Sequence, residues 1–157
     1  MKISIIAVGK IKEKYLKDGI LEYKKRLSRF TKLEIIEVKD ESLDEKTTTK
    51  DKVKEIETDR ILKKINKSSY IILLDIHGKK LDSISFSKEI NKQLILGVSN
   101  ITFIIGGSIG VSKNVLDICT TRISISDLTF PHQLVRLILL EQIYRAFKII
   151  KNETYHK

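Results

Sequence analysis

Proline and cysteine each occur once in this chain of 157 residues, tryptophan does not occur, and glycine occurs only seven times. The lone cysteine, Cys119, excludes an internal disulfide and any zinc cluster built from cysteines, and it fits a reducing interior. Its small and apolar neighbours read as those of a buried core thiol. No apolar run approaches the roughly 20 residues of a membrane span. The apolar stretch at the start ends by Gly9, too short and wrongly flanked for a signal peptide, so a cytoplasmic protein is expected. The three histidines, His77, His132 and His156, stand at no metal-ligand spacing, and no metal site is expected. Internal repeats and low-complexity segments are absent as well.

What is present is an ordinary share of apolar residues, 41%, and an excess of basic over acidic ones, 30 against 20, for a formal net charge of +10. The length suits one domain over residues 1–157 with a single sizeable core. The charge suggests a polyanionic partner, nucleic acid first. Lysine spread over every solvated surface would give the same total, so charge leaves both readings open.

Strand and helix patterns alternate along the chain. Residues 2–8 form a nearly continuous apolar run, as in a strand covered on both faces. Leu16, Ile20, Tyr23 and Leu27 then recur at helical spacing within residues 13–29. Residues 33–38 read as a second strand, 39–51 as an exposed, mobile loop, and a second, less regular helix runs to about Ile65. A third strand over 70–74 gives way to a loop at Asp75-Ile76-His77-Gly78-Lys79, and Phe86, Ile90 and Leu94 mark a third helix that stops near Gly97. Residues 101–105 form the fourth strand, 113–119 a short helix and 122–125 the fifth strand. Five alternations predict an α/β domain with a largely parallel sheet of five to six strands flanked by helices.

The single proline, Pro131, stands where a polar loop meets the last helix, a position that suits a residue with fixed φ and no amide hydrogen. That helix, from about His132 to Lys151, is apolar most of the way round. One face can pack on the sheet; the rest calls for a second partner, most economically another copy of the chain.

In parallel α/β sheets, ligands bind outside the carboxyl ends of the strands. Three stretches lie there: 74–78, Gly106-Gly107, and 126–130. Gly106-Gly107-Ser108-Ile109-Gly110 lacks the G-x-G spacing of a dinucleotide fingerprint and the Gly-Lys-Ser/Thr of a P-loop, so spacing alone leaves a structural turn and a ligand loop both open. His77, beside Gly78, reads as a turn residue. His132 either caps the last helix or lines the pocket, with capping favoured. No serine stands in a nucleophile elbow. A nucleotide- or NAD-dependent enzyme is disfavoured by the missing fingerprint. A non-catalytic ribosome- or RNA-binding factor is favoured by charge but by no aromatic-rich motif.

Taken together, Phe103-Ile104-Ile105-Gly106-Gly107-Ser108-Ile109-Gly110, Thr129-Phe130-Pro131-His132-Gln133-Leu134-Val135-Arg136, Leu140-Glu141-Gln142-Ile143-Tyr144-Arg145-Ala146-Phe147 and the terminal Tyr155-His156-Lys157 closely resemble the ribosomal RNA large-subunit methyltransferase H family of the SPOUT superfamily. The likeness covers the whole chain. It implies a deep trefoil knot at the C-terminal end, an exception to the rule that chains do not thread loops, and a homodimer through the last helix. It implies S-adenosylmethionine as cofactor, held by Leu74, Gly106, Ile125, Ser126, Asp127, Leu128, Thr129 and Phe130. Asp127 departs from the lysine or small residue expected there. The implied reaction is methylation at N3 of a pseudouridine in helix 69 of 23S rRNA, the 1915 site, within the large subunit or whole ribosome. Tyr155 and His156 are the implied catalytic pair, reaching the partner's cofactor, or else a tail that only positions RNA. Arg136, Arg145 and Lys157 are the implied RNA contacts.

Overall fold

A computed structural model describes residues 1–43 and 49–155. The order is β1 (Lys2–Val8), α1 (Lys14–Leu27), β2 (Lys32–Val38), α2 (Lys50–Leu62), β3 (Tyr70–Lys80), α3 (Ser83–Ile95), β4 (Asn100–Ile105), α4 (Lys113–Ile118), β5 (Thr121–Ser124) and α5 (His132–Ile150). The five strands form one sheet in the order β2-β1-β4-β3-β5, and every pairing is parallel.

The apolar runs of β1 and β4 follow from their central places, since both of their faces are covered. Alternate side chains serve opposite layers. Ile3, Ile5 and Ala7 of β1 join Ile101, Phe103 and Ile105 of β4 under α1, α3 and α5, whereas Ile6, Val8, Ile104 and Leu73 join Ile61 of α2 and Val115 of α4. Cys119 is half-buried at the margin of this second layer, its thiol pushed up by burial.

Two elements depart from the sequence reading. The third strand does not stop at Leu74 but runs to Lys80. Its register on β5 jumps, with Leu74 and Lys79 both opposite Ile123. Charged residues are tolerated there because the backbone ladder, not side-chain burial, holds this extension. Helix α2 ends at Leu62, and its inward face is Val53, Glu57, Thr58 and Ile61. Two polar residues on a buried face explain why its apolar period looked irregular. The 39–51 loop lies partly outside the described residues.

Helix α5 packs on β4 and between α1 and α3. Gly19 lets α1 approach it: a Cβ there would lie 3.0 Å from Leu137 Cδ1. From His132 to Ile150 no residue is exposed even in the single chain, although Leu134, Val135, Leu137 and Ile138 are only half-buried. No helix of the described residues is long and apolar enough to cross a membrane.

Candidate functional site

Because β4, β3 and β5 are neighbours, the loops after β4 and β5 meet the Leu74–His77 stretch within β3 at one place. They surround a cavity of about 880 Å³, within the range of small-molecule and cofactor sites. Leu74, Gly106, Ile125, Ser126, Leu128, Thr129 and Phe130 all line it.

Each wall has a local cause. After β4 the chain turns tightly: Gly110 has φ +82° and donates its N–H to Gly107 O at 3.0 Å. A Cβ on Gly106 would sit 3.0 Å from Val111 Cγ1 and 3.2 Å from the Gly110 carbonyl carbon. A side chain at Gly106 would therefore crowd the loop where it closes on itself. After β5, Ser124 Oγ donates to Ser126 O at 3.1 Å and Leu128 N–H donates to Ser126 Oγ at 2.9 Å, which curls the loop with its own side chains. After Leu74, His77 N–H donates to Asp75 Oδ1 at 3.0 Å. His77 thus belongs to the β3 extension rather than to a free turn, and it lines the cavity.

Other predicted residues lie elsewhere. Asp127 is absent from the lining; its carboxylate pairs with Lys80 Nζ at 2.7 Å on the exposed surface. Arg136, expected to contact RNA, is wholly buried. It donates to Val8 O and Gly9 O, both at 2.7 Å, and pairs with Glu37 at 2.7 Å. With no exposed surface it has none to offer a nucleic acid, and its work is to tie the end of β1 to α5. Arg145 forms a pair with Glu141 at 2.7 Å and lies over the Tyr155 ring at 4.8 Å. Tyr155 stands edge-on to Tyr144, ring centroids 5.0 Å apart, and does not line its own chain's cavity. His156 and Lys157 lie outside the described residues.

His132 makes no capping hydrogen bond, and Pro131 occupies the cap position instead. The imidazole lines the cavity, with Nε2 3.1 Å from where a Cβ on Gly9 would be. Burial, then the Arg136 guanidinium, lowers its pKa below the ordinary value, with Asp40 opposing. It is held neutral. Lys54 and Arg122, neither singled out by sequence reasoning, also line the cavity; only the packing of α2 and β5 brings them there. Among the described residues no cluster of three or more His, Cys, Asp or Glu could hold a metal.

The family model described as "Predicted SPOUT methyltransferase" matches residues 1–156. The chain is 55% identical to the ribosomal RNA large subunit methyltransferase H of Enterococcus faecalis, 54% to that of Carboxydothermus hydrogenoformans and 52% to that of Ruminiclostridium cellulolyticum, each over the full length of both proteins. Among solved structures, the tRNA (m1G37) methyltransferase of Aquifex aeolicus superposes with a TM-score of 0.52 at 15% identity, covering 92% of this chain and 70% of that one, a likeness of fold. The family model and the full-length identities agree: the chain belongs to the SPOUT methyltransferases and, within them, to the ribosomal RNA large subunit methyltransferase H family.

Proposed function

We propose that this protein methylates N3 of a pseudouridine in helix 69 of 23S rRNA, the 1915 site, on assembled ribosomes in the cytoplasm. The observation that carries the proposal is the cavity in which the ends of β4 and β5 meet the Leu74–His77 stretch of β3, in a chain more than half identical to an rRNA methyltransferase. S-adenosylmethionine is the methyl donor of this class. The residues present fit it: a pocket of cofactor size, walled on one side by the glycines Gly106, Gly107 and Gly110. When bound, it supplies a methyl group already activated by its sulfonium.

The chain's own residues have two tasks. Leu74, Gly106 and the loop Ile125-Ser126-Asp127-Leu128-Thr129-Phe130 would hold the donor in one pose, so that the imide nitrogen can approach in line. Any part Asp127 takes would be through its backbone, since its carboxylate pairs with Lys80 on the surface. The second task is to help that weakly acidic nitrogen lose its proton. We assign this to the Tyr155-His156 tail of a second subunit. Along α5, Tyr144, against which Tyr155 packs, stands 12 residues from His132, about 18 Å at helical rise, so Tyr155 is remote from its own cavity. A homodimer through the half-covered face of α5 would present it to the partner's. Arg145 and Lys157, with the cavity cations Lys54 and Arg122, would meet the rRNA. The whole chain acts as one domain, with its C-terminal part tied in a trefoil knot.

The test is methyl transfer to ribosomes lacking the modification, with free 23S rRNA as control. Label in helix 69 of intact ribosomes is expected. No label in either substrate from protein that binds S-adenosylmethionine would overturn the assignment.

A further inference from the structure

Helix α2 carries a buried acid for which the scheme above has no use. Glu57 is 4% exposed; its Oε1 accepts the Glu41 N–H at 2.9 Å, while Oε2 has no hydrogen-bond partner. That bare oxygen lies directly behind the glycine turn. A Cβ on Gly107 would collide with it, and Val8 Cγ1 lies 3.2 Å from the same point. The next residue, Thr58, is 1% exposed and accepts the Ser112 N–H at 2.9 Å. Helix α2 therefore holds the turn at both of its ends. Gly107 and Val111, at and between those anchors, and Gly106 just before them are cavity wall.

We infer that Glu57 is a positioning residue for the donor site, its carboxyl seated behind Gly107 giving residues 106–112 the shape that the cavity requires. The inference rests on the proposed function for what the cavity holds, and on geometry for what Glu57 does. An ionised carboxylate in that seat would have one oxygen with no donor, facing glycine backbone and valine, which is the costly arrangement for a buried charge. Displacing the turn toward the cavity would give the charge access to water. The groups facing Glu57 favour the uncharged form on balance. Burial acts first to raise its pKa, and Asp40 and Glu41, from the segment after β2, raise it further. The Glu41 N–H and Arg60 oppose, but Arg60 is itself engaged with Glu41 at 2.6 Å and Lys39 O at 2.9 Å.

The sign follows from that direction. A carboxyl whose pKa is raised in the closed form favours that form at low pH and ceases to do so as pH climbs through the raised value. Donor affinity should fall with pH by at most about tenfold per unit, the limit for one proton. The experiment titrates S-adenosylhomocysteine into wild type, Glu57→Gln and Glu57→Ala by calorimetry from pH 6 to 9. Amide exchange of the 106–112 segment is followed in parallel without ligand, each pH compared with Glu57→Gln at that pH. Wild type should lose affinity and protection as pH rises, whereas Glu57→Gln, neutral throughout and nearly the same shape, should hold both level. Glu57→Ala should exchange faster at every pH. Identical pH dependence in wild type and Glu57→Gln would overturn the inference, as would unchanged exchange in Glu57→Ala. Wild type that binds no S-adenosylhomocysteine but exchanges as described would instead overturn the reading of the cavity and leave the role of Glu57 standing.

Discussion

Arg136 keeps its guanidinium wholly inside the protein, bridging Glu37 on the edge strand, the last carbonyls of β1 and the first turns of α5. Replacing it with methionine retains most of the apolar stem but strips the donors from two buried carbonyl oxygens. We expect a loss of about 3 kcal/mol, the low end for breaking a buried pair, because Glu37 can still reach water. Urea denaturation at constant m-value would measure it. Arg136→Lys should recover only part, since a point charge cannot serve three acceptors arranged for a planar fork. Beside it, His132 predicts a pH effect. Its folded pKa lies below the ordinary value near 6.5, so the unfolded chain binds the proton first as pH drops. Stability should therefore fall as pH decreases from about 6.5 toward the depressed value, and Glu57, whose shift has the opposite sign, does not cause it. Denaturation midpoints of wild type and His132→Gln at pH 5.5 and 7 would test this; equal slopes for the two would contradict it.

At the level of elements, the β3 extension decides whether the site exists. Gly78 passes so close to β5 that a Cβ would lie 2.6 Å from Ile123 N and 2.7 Å from the carbonyl carbons of Arg122 and Ile123. Backbone cannot swing aside as a side chain can. Gly78→Ala should cost about 1–3 kcal/mol by overpacking and also weaken donor binding, because Ile125 and Ser126 follow directly. Gly97→Ala is the control. There φ is +73° but no atom lies within 4 Å, so strain of about 1–2 kcal/mol should appear in the melting temperature without any change in donor affinity. The same strand marks where sequence reading reached its limit. Periodicity located β1, β4, α3 and α5 because their side chains are sorted by burial. It stopped β3 at Leu74, since Asp75-Ile76-His77-Gly78-Lys79-Lys80 has no apolar pattern and is strand only by virtue of its partner. It undervalued α2 for the same reason: Glu57 and Thr58 occupy inward positions where a pattern search looks for leucine.

For the molecule as a whole, the half-buried outer side of α5 is the face a second subunit would cover. If a second subunit does, and its tail enters the neighbouring cavity, then activity can be rebuilt from two defective chains. Chains truncated before Tyr155 and full-length Gly106→Leu chains should each be inactive, while mixed dimers should recover part of the activity, one intact cavity being served by one intact tail. Sedimentation should show dimers throughout. No recovery on mixing, with mixed dimers demonstrated, would place the tail's role within its own chain or outside the chemistry. The formal charge of +10 adds a second expectation. Binding to ribosomal particles should weaken steeply as salt rises, because each phosphate contact releases a counterion; a flat response would reduce the lysines to solvated surface.

Sequence by itself determined the alternation of strand and helix, the parallel sheet, the glycine turn after β4 and the loop before Pro131, because each is written in local chemistry: apolar period, missing Cβ, fixed φ. It also carried the family likeness, most of it in the C-terminal half. Only the tertiary structure decided that Arg136 is an internal tie rather than a hand offered to RNA, that Asp127 points away from the cavity, that His132 lines it and that Glu57 stands behind its wall. Burial and neighbourhood between residues dozens of positions apart are properties of the packed sheet, and no stretch of chain holds them alone.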